Sequence, residues 1–364
     1  MCREDAGMKL EVLKTIPNVV AHCIDNGNIW ASSNFSVVCI NENTNSINKV
    51  YDLPVPLRTR LIGKIRLPSR LLRLGIRSMR VLQSGTLLVN ANRRIYRISG
   101  DQIEETLRFS QGVGPLRYGW CEDPDGVCYL GEYYVNNERA KPIRLFKSEN
   151  DGKEWTAVHE FWDVKHIHCV QYDPYSGLLW LSSGDRDDES KIVFSSDGGV
   201  TWTPIGSGDQ MFRSVSLIFT PEYVYWGSDA PTRQNYIYRY SRQGGEILAV
   251  QPVNGPVHYS TTINGGVYLF GTTIEGNSEG PSAQWDKNVR IWGSSDGLHW
   301  KSLLQWEKDD LPYEFFGYGR VLFPVGDNHA DEVYFTTLSV KKFDNTLFHA
   351  RVKSELVPGA EERH

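Results

Sequence analysis

Residues 167–185 read Ile-His-Cys-Val-Gln-Tyr-Asp-Pro-Tyr-Ser-Gly-Leu-Leu-Trp-Leu-Ser-Ser-Gly-Asp, and this stretch decides the predicted fold. A run with apolar and aromatic residues precedes Asp173-Pro-Tyr-Ser-Gly177, and a second apolar run follows it. Aromatic and branched side chains favour strands, whereas Asp, Pro, Ser and Gly favour tight turns. The stretch therefore predicts a β-hairpin.

The same hairpin pattern recurs along the chain. Each copy begins close to a marker residue that is His, Arg or Tyr, and successive markers lie 41 to 60 residues apart. The markers are His22, Arg77, Tyr118, His168, Arg213, His258 and Tyr318. Further strand-like runs follow each hairpin, and four-stranded units repeated radially form a β-propeller. We predict an all-β chain with seven blades, with six blades as the alternative.

The two ends of the chain are predicted to meet in one blade. The run Lys9-Leu-Glu-Val-Leu-Lys-Thr-Ile16 stands alone before the first hairpin, and the last unit is short of a fourth strand. We therefore expect the N-terminal strand to complete the last blade and to close the ring without a covalent link. Residues 1–364 form one propeller domain in this interpretation, and we expect 1–7 and 355–364 to be disordered tails.

Charge is distributed unevenly along the sequence. The formal net charge is −5, from 39 basic and 44 acidic residues, yet 11 Lys and Arg and no acidic residue lie between Asp52 and Asp101. Within that segment, Leu57 to Gly75 (57–75) exceeds the length of a blade turn and has apolar residues at near-helical spacing. Such a basic amphipathic insertion is typical of a membrane-surface element, of a flap over an anionic ligand, or of a solvated helix docked on the propeller face.

Residues at the starts of the predicted innermost strands are the candidate site. These strands surround the central channel of a propeller, so Arg, His and Tyr from separate blades converge there and suit an anionic ligand. Acidic residues that follow the second strands are the candidate acids and bases. The predicted catalytic residues are His166, His168, His258, Tyr118, Tyr259, Tyr318, Asp185 and Asp229, and the predicted substrate-binding residues are Arg77, Arg117, Arg213, Arg320 and Glu132.

Three segments ending in Trp resemble the Asp-box (BNR) repeats of sialidase-like propellers. Ser148-Glu-Asn150-Asp-Gly152-Lys-Glu-Trp155 and Ser195-Ser-Asp197-Gly-Gly199-Val-Thr201-Trp202 follow the pattern S-x-D-x-G-x-T-W, with Asn for Asp and Glu for Thr in the first. In Gly293-Ser-Ser295-Asp296-Gly297-Leu-His-Trp300 the Asp is shifted by one position. The resemblance implies hairpin turns between the third and fourth strands of a blade, away from the site, and action on or binding of carbohydrate.

The resemblance leaves three functions open. In the branch of seven-bladed polysaccharide lyases, Arg117, Arg213 and Arg320 would hold a uronate carboxylate, His168 or His258 would be the base, and Tyr118, Tyr259 or Tyr318 the acid. In a sialidase-like hydrolase, the same arginines would bind the carboxylate, with Tyr318 or Tyr259 as nucleophile and Asp185 or Asp229 as acid. The third function is a non-catalytic propeller that binds glycan or protein. We favour the lyase, because hydrolysis calls for paired carboxylates.

Other classes of protein are excluded or disfavoured. No apolar stretch is long enough for a transmembrane helix, the first residues do not resemble a secretory signal, and the six cysteines show no paired spacing. Nucleic acid is not an expected partner, because the net charge is negative and no binding motif is present. We expect a cytoplasmic enzyme, peripheral at a membrane, that acts on an acidic oligosaccharide, polysaccharide or glycolipid. It would need no cofactor, with a structural metal ion left open.

Overall fold

The fold is a seven-bladed β-propeller. The computed structural model describes residues 7–42, 44, 46–263, 266–275, 286–326, 328 and 331–355. Within these residues, 28 strands form seven antiparallel sheets of four strands each. The predicted all-β class and the count of seven blades, rather than six, are confirmed.

The blades follow one another along the chain. The first four comprise β2–β5 (Val20–Asp25, Asn28–Ser33, Ser36–Asn41, Ile47–Asp52), β6–β9 (Ile76–Val81, Leu87–Ala91, Arg94–Ser99, Gln102–Arg108), β10–β13 (Trp120–Glu122, Cys128–Gly131, Ile143–Ser148, Thr156–Phe161) and β14–β17 (His166–Asp173, Leu178–Gly184, Lys191–Ser195, Thr203–Ser207). The fifth and sixth comprise β18–β21 (Leu217–Phe219, Tyr223–Gly227, Asn235–Ser241, Ile247–Val253) and β22–β25 (Val257–Ile263, Val267–Thr272, Asn288–Ser294, Lys301–Glu307).

The seventh blade combines the two ends of the chain. Its strands are β26 (Arg320–Leu322), β27 (Glu332–Leu338), β28 (Thr346–Glu355) and β1 (Gly7–Pro17), in that order from the channel outward. Strand β1 pairs antiparallel with β28, from Gly7 opposite Glu355 to Pro17 opposite Thr346. The predicted closure by the N-terminal strand is thus confirmed. The predicted tails 1–7 and 355–364 lie outside the described residues, apart from this terminal pair.

Closure of the ring gives a stability prediction. Leu10 of β1 is buried and belongs to one apolar cluster with Val333 and Ala350 of the same blade. Truncation to Leu10→Ala removes buried methyl groups and leaves a cavity, which should lower the free energy of unfolding by about 2–3 kcal/mol. Leu13→Ala on the same strand is the control, because Leu13 is 41% exposed. Urea unfolding measures both variants, and equal losses would contradict the assigned role of Leu10 in closure.

Neighbouring blades approach each other at glycines. Gly131 ends the second strand of the third blade, and a Cβ there would lie 2.5 Å from Cγ2 of Ile167 on the next blade. Gly227 holds the same position in the fifth blade, where a Cβ would lie 2.3 Å from Cβ of Val257. Both contacts are with the innermost strand of the following blade. Glycine at these positions therefore lets the innermost strands pack closely around the channel.

The Trp-ending segments form turns between third and fourth strands. In the turn between β16 and β17, Asp197 Oδ1 accepts from the backbone N of Val200 (3.1 Å) and of Thr201 (2.9 Å). Thr201 Oγ1 donates to Asp197 Oδ2 at 2.6 Å, and Ser195 Oγ accepts from Gly199 N at 2.8 Å. The Asp197 carboxylate thus accepts hydrogen bonds from backbone N–H groups of the turn, in place of backbone carbonyl oxygens.

The shifted copy of this turn works with one residue fewer. Between β24 and β25, Asp296 Oδ1 accepts from the backbone N of Leu298 and of His299, each at 2.8 Å. His299 Nδ1 lies 2.7 Å from Asp296 Oδ2 and occupies the place that Thr201 has in the other turn. The offset in the sequence therefore reflects a shorter turn with the same hydrogen bonds.

Three short α-helices and two 3-10 turns, Asp187–Glu189 and Gln210–Phe212, lie between strands in the described residues. Helices α1 (Leu57–Gly63) and α2 (Arg66–Leu71) form the insertion between the first two blades, and α3 (Tyr313–Phe316) precedes the last one. Arg70 of α2 donates from Nε and Nη2 to the carbonyl oxygen of Phe316, at 3.0 and 2.9 Å. Within the described part of the chain, no helix has both the length and the apolar character needed to cross a bilayer.

Candidate functional site

Four of the seven innermost strands share a bulge near the start of the strand. In β2, β6, β14 and β22 the pairing with the second strand skips one residue near the start of the strand. The skipped residues are His22, Arg77, His168 and His258, which are four of the seven markers in the sequence. A bulge releases its residue from the ladder and changes the direction of its side chain. The repeat therefore supplies basic side chains at equivalent positions of four blades.

Asp185 is the centre of the first half of a buried polar cluster. Its Oδ2 accepts from Lys165 Nζ at 2.6 Å, and its Oδ1 lies 3.0 Å from Arg213 Nη2 and 3.2 Å from His166 Nε2. His166 Nε2 also lies 2.9 Å from His168 Nε2. Lys165, His166 and Arg213 thus converge on one carboxylate, and His168 contacts His166.

Asp229 and Glu275 form the second half of the cluster. Asp229 Oδ2 accepts from Arg213 Nε at 3.2 Å, so that Arg213 links Asp229 to Asp185. On its other side, Asp229 Oδ1 lies 3.3 Å from His258 Nε2, which is also 3.3 Å from Glu275 Oε1. We call these eight residues the polar cluster: Lys165, His166, His168, Asp185, Arg213, Asp229, His258 and Glu275.

The two halves hold their histidines in different protonation states. Burial, reinforced by the neighbouring His168, lowers the pKa of His166 to about 4 despite its hydrogen bond with Asp185. Burial also opposes a charge on His258, but the Asp229 and Glu275 carboxylates outweigh it and raise the pKa of His258 to about 9. At neutral pH, His166 is therefore a neutral imidazole and His258 an imidazolium.

The raised pKa of His258 gives a prediction for stability against pH. A group whose pKa is higher in the folded state than in the unfolded state stabilises the fold while it is protonated. For His258 this stabilisation is complete below the ordinary pKa of 6.5 and is lost as the pH rises through about 9. We expect the wild type to lose free energy of unfolding over this interval relative to His258→Gln, which lacks the titrating group. Urea unfolding at several pH values measures the difference. Parallel pH profiles for the two proteins would contradict the ion pairing of His258.

A cavity of about 780 Å³ lies beside the polar cluster. It is lined by Arg77, Arg320, Tyr133, Tyr259 and Tyr318, among other residues. The Tyr133 ring stacks on His166 with centroids 4.2 Å apart, and Tyr259 and Tyr318 lie 5.9 and 6.3 Å from the His258 ring. The tyrosines therefore form the wall between the cavity and the polar cluster.

Two of the cavity arginines, Arg77 and Arg320, have neither a carboxylate partner nor a hydrogen bond shorter than 3.5 Å among the described residues. Within the described residues, Arg77 forms one hydrogen bond, to the carbonyl oxygen of Arg73 at 3.5 Å, and buried Nε of Arg320 has no acceptor. Burial, and then the positive charges of Arg320 and Arg73, lower the pKa of Arg77 to about 10. Like charges that stand together without a counter-ion favour binding of an anion.

The structure places two predicted site residues, Arg117 and Tyr118, in contacts with other blades. Arg117 is buried, and its Nη1 donates to the carbonyl oxygens of Ala21 (2.7 Å) and His22 (3.2 Å) on the first blade. The Tyr118 hydroxyl donates to the carbonyl oxygen of Ser260 on the sixth blade. These two side chains, which precede β10 of the third blade, therefore connect that blade to the first and the sixth blades.

Glu132 and Arg213 are also balanced by protein groups. Glu132 accepts from Arg144 Nε (3.0 Å) and Nη2 (2.8 Å) and does not line the cavity. Arg213 bridges Asp185 and Asp229, so its charge is already neutralised. Of the predicted arginines in the described chain, Arg77, Arg117 and Arg320 line the cavity without a carboxylate partner, and Arg117 already donates to backbone carbonyl oxygens.

Sequence reasoning missed two residues of the site. Glu275 follows a second strand, as Asp185 and Asp229 do, and the same rule applied to the sixth blade would have found it. Tyr133 neighbours the predicted Glu132, and alternation along the chain places the two on opposite faces. The segment Gly131-Glu-Tyr-Tyr134 was the right signal, but its tyrosine rather than its carboxylate lines the cavity.

Two trios of side chains have donor atoms close enough to hold a metal ion. They are His166, His168 and Asp185, and Asp229, His258 and Glu275, with donor atoms within 4.8 Å of one another in each trio. Lys165 and Arg213 already neutralise Asp185, and His258 is protonated between its two carboxylates. A metal ligand must be unprotonated. As arranged, Asp185 is paired with Lys165 and Arg213, and Asp229 and Glu275 are paired with His258.

Comparison with known proteins bears on the fold that these observations define, a seven-bladed propeller. No family model and no curated protein matches the chain. Among solved structures, it is similar to the GH74 xyloglucanase from Xanthomonas campestris, with 14% identity and a TM-score of 0.62 over 97% of this chain, which spans 55% of that enzyme. It is also similar to a chain of the mitotic checkpoint complex, with 9% identity and a TM-score of 0.54 over 94% of both chains. At these identities the likeness concerns the fold alone.

Proposed function

We propose that the protein is a carbohydrate-active enzyme that cleaves a glycosidic linkage in a carboxylate-bearing glycan by β-elimination. The observation that supports this most is the pair of cavity arginines, Arg77 and Arg320, which lie beside a wall of tyrosines and have no carboxylate partner among the described residues. Guanidinium groups bind carboxylates with two parallel hydrogen bonds, so a uronate is the anion that this pair suits. The GH74 xyloglucanase is compatible with this proposal, because it is a carbohydrate-active enzyme on a similar fold.

Bound to Arg77 and Arg320, the uronate carboxylate would have its charge neutralised, which acidifies the proton on the adjacent C5. A base removes that proton, the electron pair forms the C4–C5 double bond, and the C4–O bond breaks. The leaving oxygen takes a proton from an acid, so that no water is consumed. The products are an unsaturated uronate and a new hydroxyl end.

Tyr318 and Tyr259 suit the two proton transfers. Burial, and then the Glu275 and Asp229 carboxylates, raise the pKa of Tyr318 to about 12, so that this residue keeps its proton at neutral pH and suits the acid. Tyr259 lines the same cavity as Arg77 and Arg320, so it is the tyrosine that we assign as the base. His258 is already protonated, and His168 lies behind Tyr133 at a centroid distance of 6.2 Å.

The test is incubation with a panel of uronic-acid oligosaccharides, followed by ultraviolet absorbance. A double bond conjugated to the carboxylate gives a new absorbance, which we expect for wild type and not for Tyr259→Phe or Tyr318→Phe. Reducing ends without the new absorbance would support a sialidase-like hydrolase instead, with Tyr318 beside Glu275. Binding without any product would support the non-catalytic glycan-binding propeller. Either result would overturn the elimination.

A further inference from the structure

The insertion 57–75 is attached to the propeller through its polar residues. Arg66 Nε and Nη2 donate to the Asp344 carboxylate at 2.8 and 2.7 Å, and Arg70 Nη1 donates to Asp309 Oδ2 at 2.5 Å. Ser69 and Arg70 are the buried residues of α2. Helix α2 therefore contacts the blades through arginines and a serine.

The opposite face of the insertion is apolar and exposed. Six large aliphatic side chains are between 48% and 72% exposed: Leu57, Leu61, Ile65, Leu67, Leu71 and Leu72. Phe315 on the adjacent α3 is 59% exposed. A helix docked on a protein surface normally buries its apolar side and exposes its charges. This insertion does the reverse, so its apolar face requires a partner outside the chain.

The exposed charges indicate what the partner is. Arg58, Lys64 and Arg73 are exposed on the same insertion, and none of them forms an ion pair within the described residues. No acidic residue lies between Asp52 and Asp101 to offset them. In a symmetric pair of two copies, these like charges would face each other, which disfavours a second copy of the chain as the partner.

We propose that the insertion docks on the surface of an anionic phospholipid bilayer. Leucines and isoleucine would enter the interface between headgroups and acyl chains, and Arg58, Lys64 and Arg73 would pair with lipid phosphates and carboxylates. Arg60, Lys64 and Arg73 of the same insertion line the cavity, so docking holds the cavity beside the membrane. The docking does not depend on the proposed function, although a glycolipid substrate would combine the two.

Sedimentation with vesicles tests the docking on the full chain. We expect the wild type to bind phosphatidylcholine vesicles that contain phosphatidylserine, and to bind phosphatidylcholine alone much more weakly. Leu57→Ser/Leu61→Ser should weaken this binding at least about tenfold, because two aliphatic anchors are lost. Arg58→Gln/Lys64→Gln should weaken it about tenfold through lost charge alone. Leu248→Ser is the control, since Leu248 is 48% exposed on β21, outside the insertion.

Three outcomes would overturn the proposal. They are absence of wild-type binding to either kind of vesicle, equal binding by the wild type and both double variants, and self-association that the leucine variant abolishes. The last would identify a second copy as the partner of the face. Circular dichroism of each variant shows whether the fold is kept. Vesicle binding needs no catalysis, so its failure would leave the elimination assay unaffected, and the reverse also holds.

Discussion

Replacing both Arg77 and Arg320 by glutamine should weaken binding of a uronate oligosaccharide about 100-fold or more. Hydrogen bonds to charged groups contribute about 1.5–3 kcal/mol each, and about 1.4 kcal/mol corresponds to a factor of ten in affinity. Both arginines line the cavity, and the described part of the chain offers them no carboxylate, so the bound anion is the group that would satisfy them. Isothermal titration calorimetry measures the loss, and each single variant should show part of it.

The same substitution should not destabilise the protein. Arg77 lies close to Arg320 and Arg73, and this repulsion contributes to its lowered pKa of about 10. Removal of one of these charges should leave the melting temperature unchanged or raise it. Arg108→Gln is the control for both measurements, since Arg108 is 62% exposed on β9 and pairs with Glu105. Unchanged affinity in the double variant, or a loss of affinity that merely follows unfolding, would contradict the assigned role.

Asp229→Asn should be the most destabilising substitution in the polar cluster. Asp229 is 4% exposed and balances Arg213 and His258 at the same time. Loss of one partner from a buried ion pair leaves an uncompensated charge and costs about 3–5 kcal/mol. We expect a decrease near the lower limit, because Arg213 keeps its contact with Asp185. Urea unfolding at neutral pH measures the change.

The matched control for this variant is Asp187→Asn. Asp187 also pairs with an arginine, Arg233, but both side chains are about half exposed. An exposed ion pair contributes about 0–1 kcal/mol, so the control should unfold almost as the wild type does. The pKa of His258 should also fall in Asp229→Asn, which nuclear magnetic resonance titration of the imidazole can follow. Equal stability of the two variants would contradict the balance of charges in the cluster.

Much of the fold could be predicted from the sequence because a propeller repeats a local pattern. Each hairpin combines short strands with a turn such as Asp173-Pro-Tyr-Ser-Gly177, and these preferences act over a few residues. The N-terminal strand could be assigned to the last blade, because that blade lacked a fourth strand. The segment with the shifted Asp296 could also be predicted to form a related turn. That this turn is one residue shorter and keeps the same hydrogen bonds is seen only in the structure.

Membership of the site was harder to predict, because it depends on contacts between distant blades. Marker residues such as His168 and His258 were found because each occupies the same bulge of an innermost strand. The sequence does not reveal that Arg117 and Tyr118 donate hydrogen bonds to backbone carbonyl oxygens of other blades. Nor does it reveal that Arg213 is neutralised on both sides. Such pairings require side chains that are far apart in the chain.

The insertion shows the same limit. Its length, charge and near-helical apolar spacing were visible in the sequence, and they left three interpretations open. Which face docks depends on carboxylates at Asp309 and Asp344, more than 230 residues away from Arg66 and Arg70. Because those carboxylates bind the arginines, the leucines face outward. The exposed leucines therefore disfavour the third interpretation, in which the insertion is a solvated helix docked on the propeller face.

The central claim is that the cavity binds a carboxylate-bearing glycan through Arg77 and Arg320. The most direct measurement is calorimetric titration of the wild type with a uronate trisaccharide and with the same trisaccharide after reduction of its carboxyl groups to alcohols. We predict that the acid binds, that the reduced form binds at least about 100-fold more weakly, and that Arg77→Gln/Arg320→Gln removes the difference. Equal affinity for the two forms, or no binding of the acid, would contradict the claim.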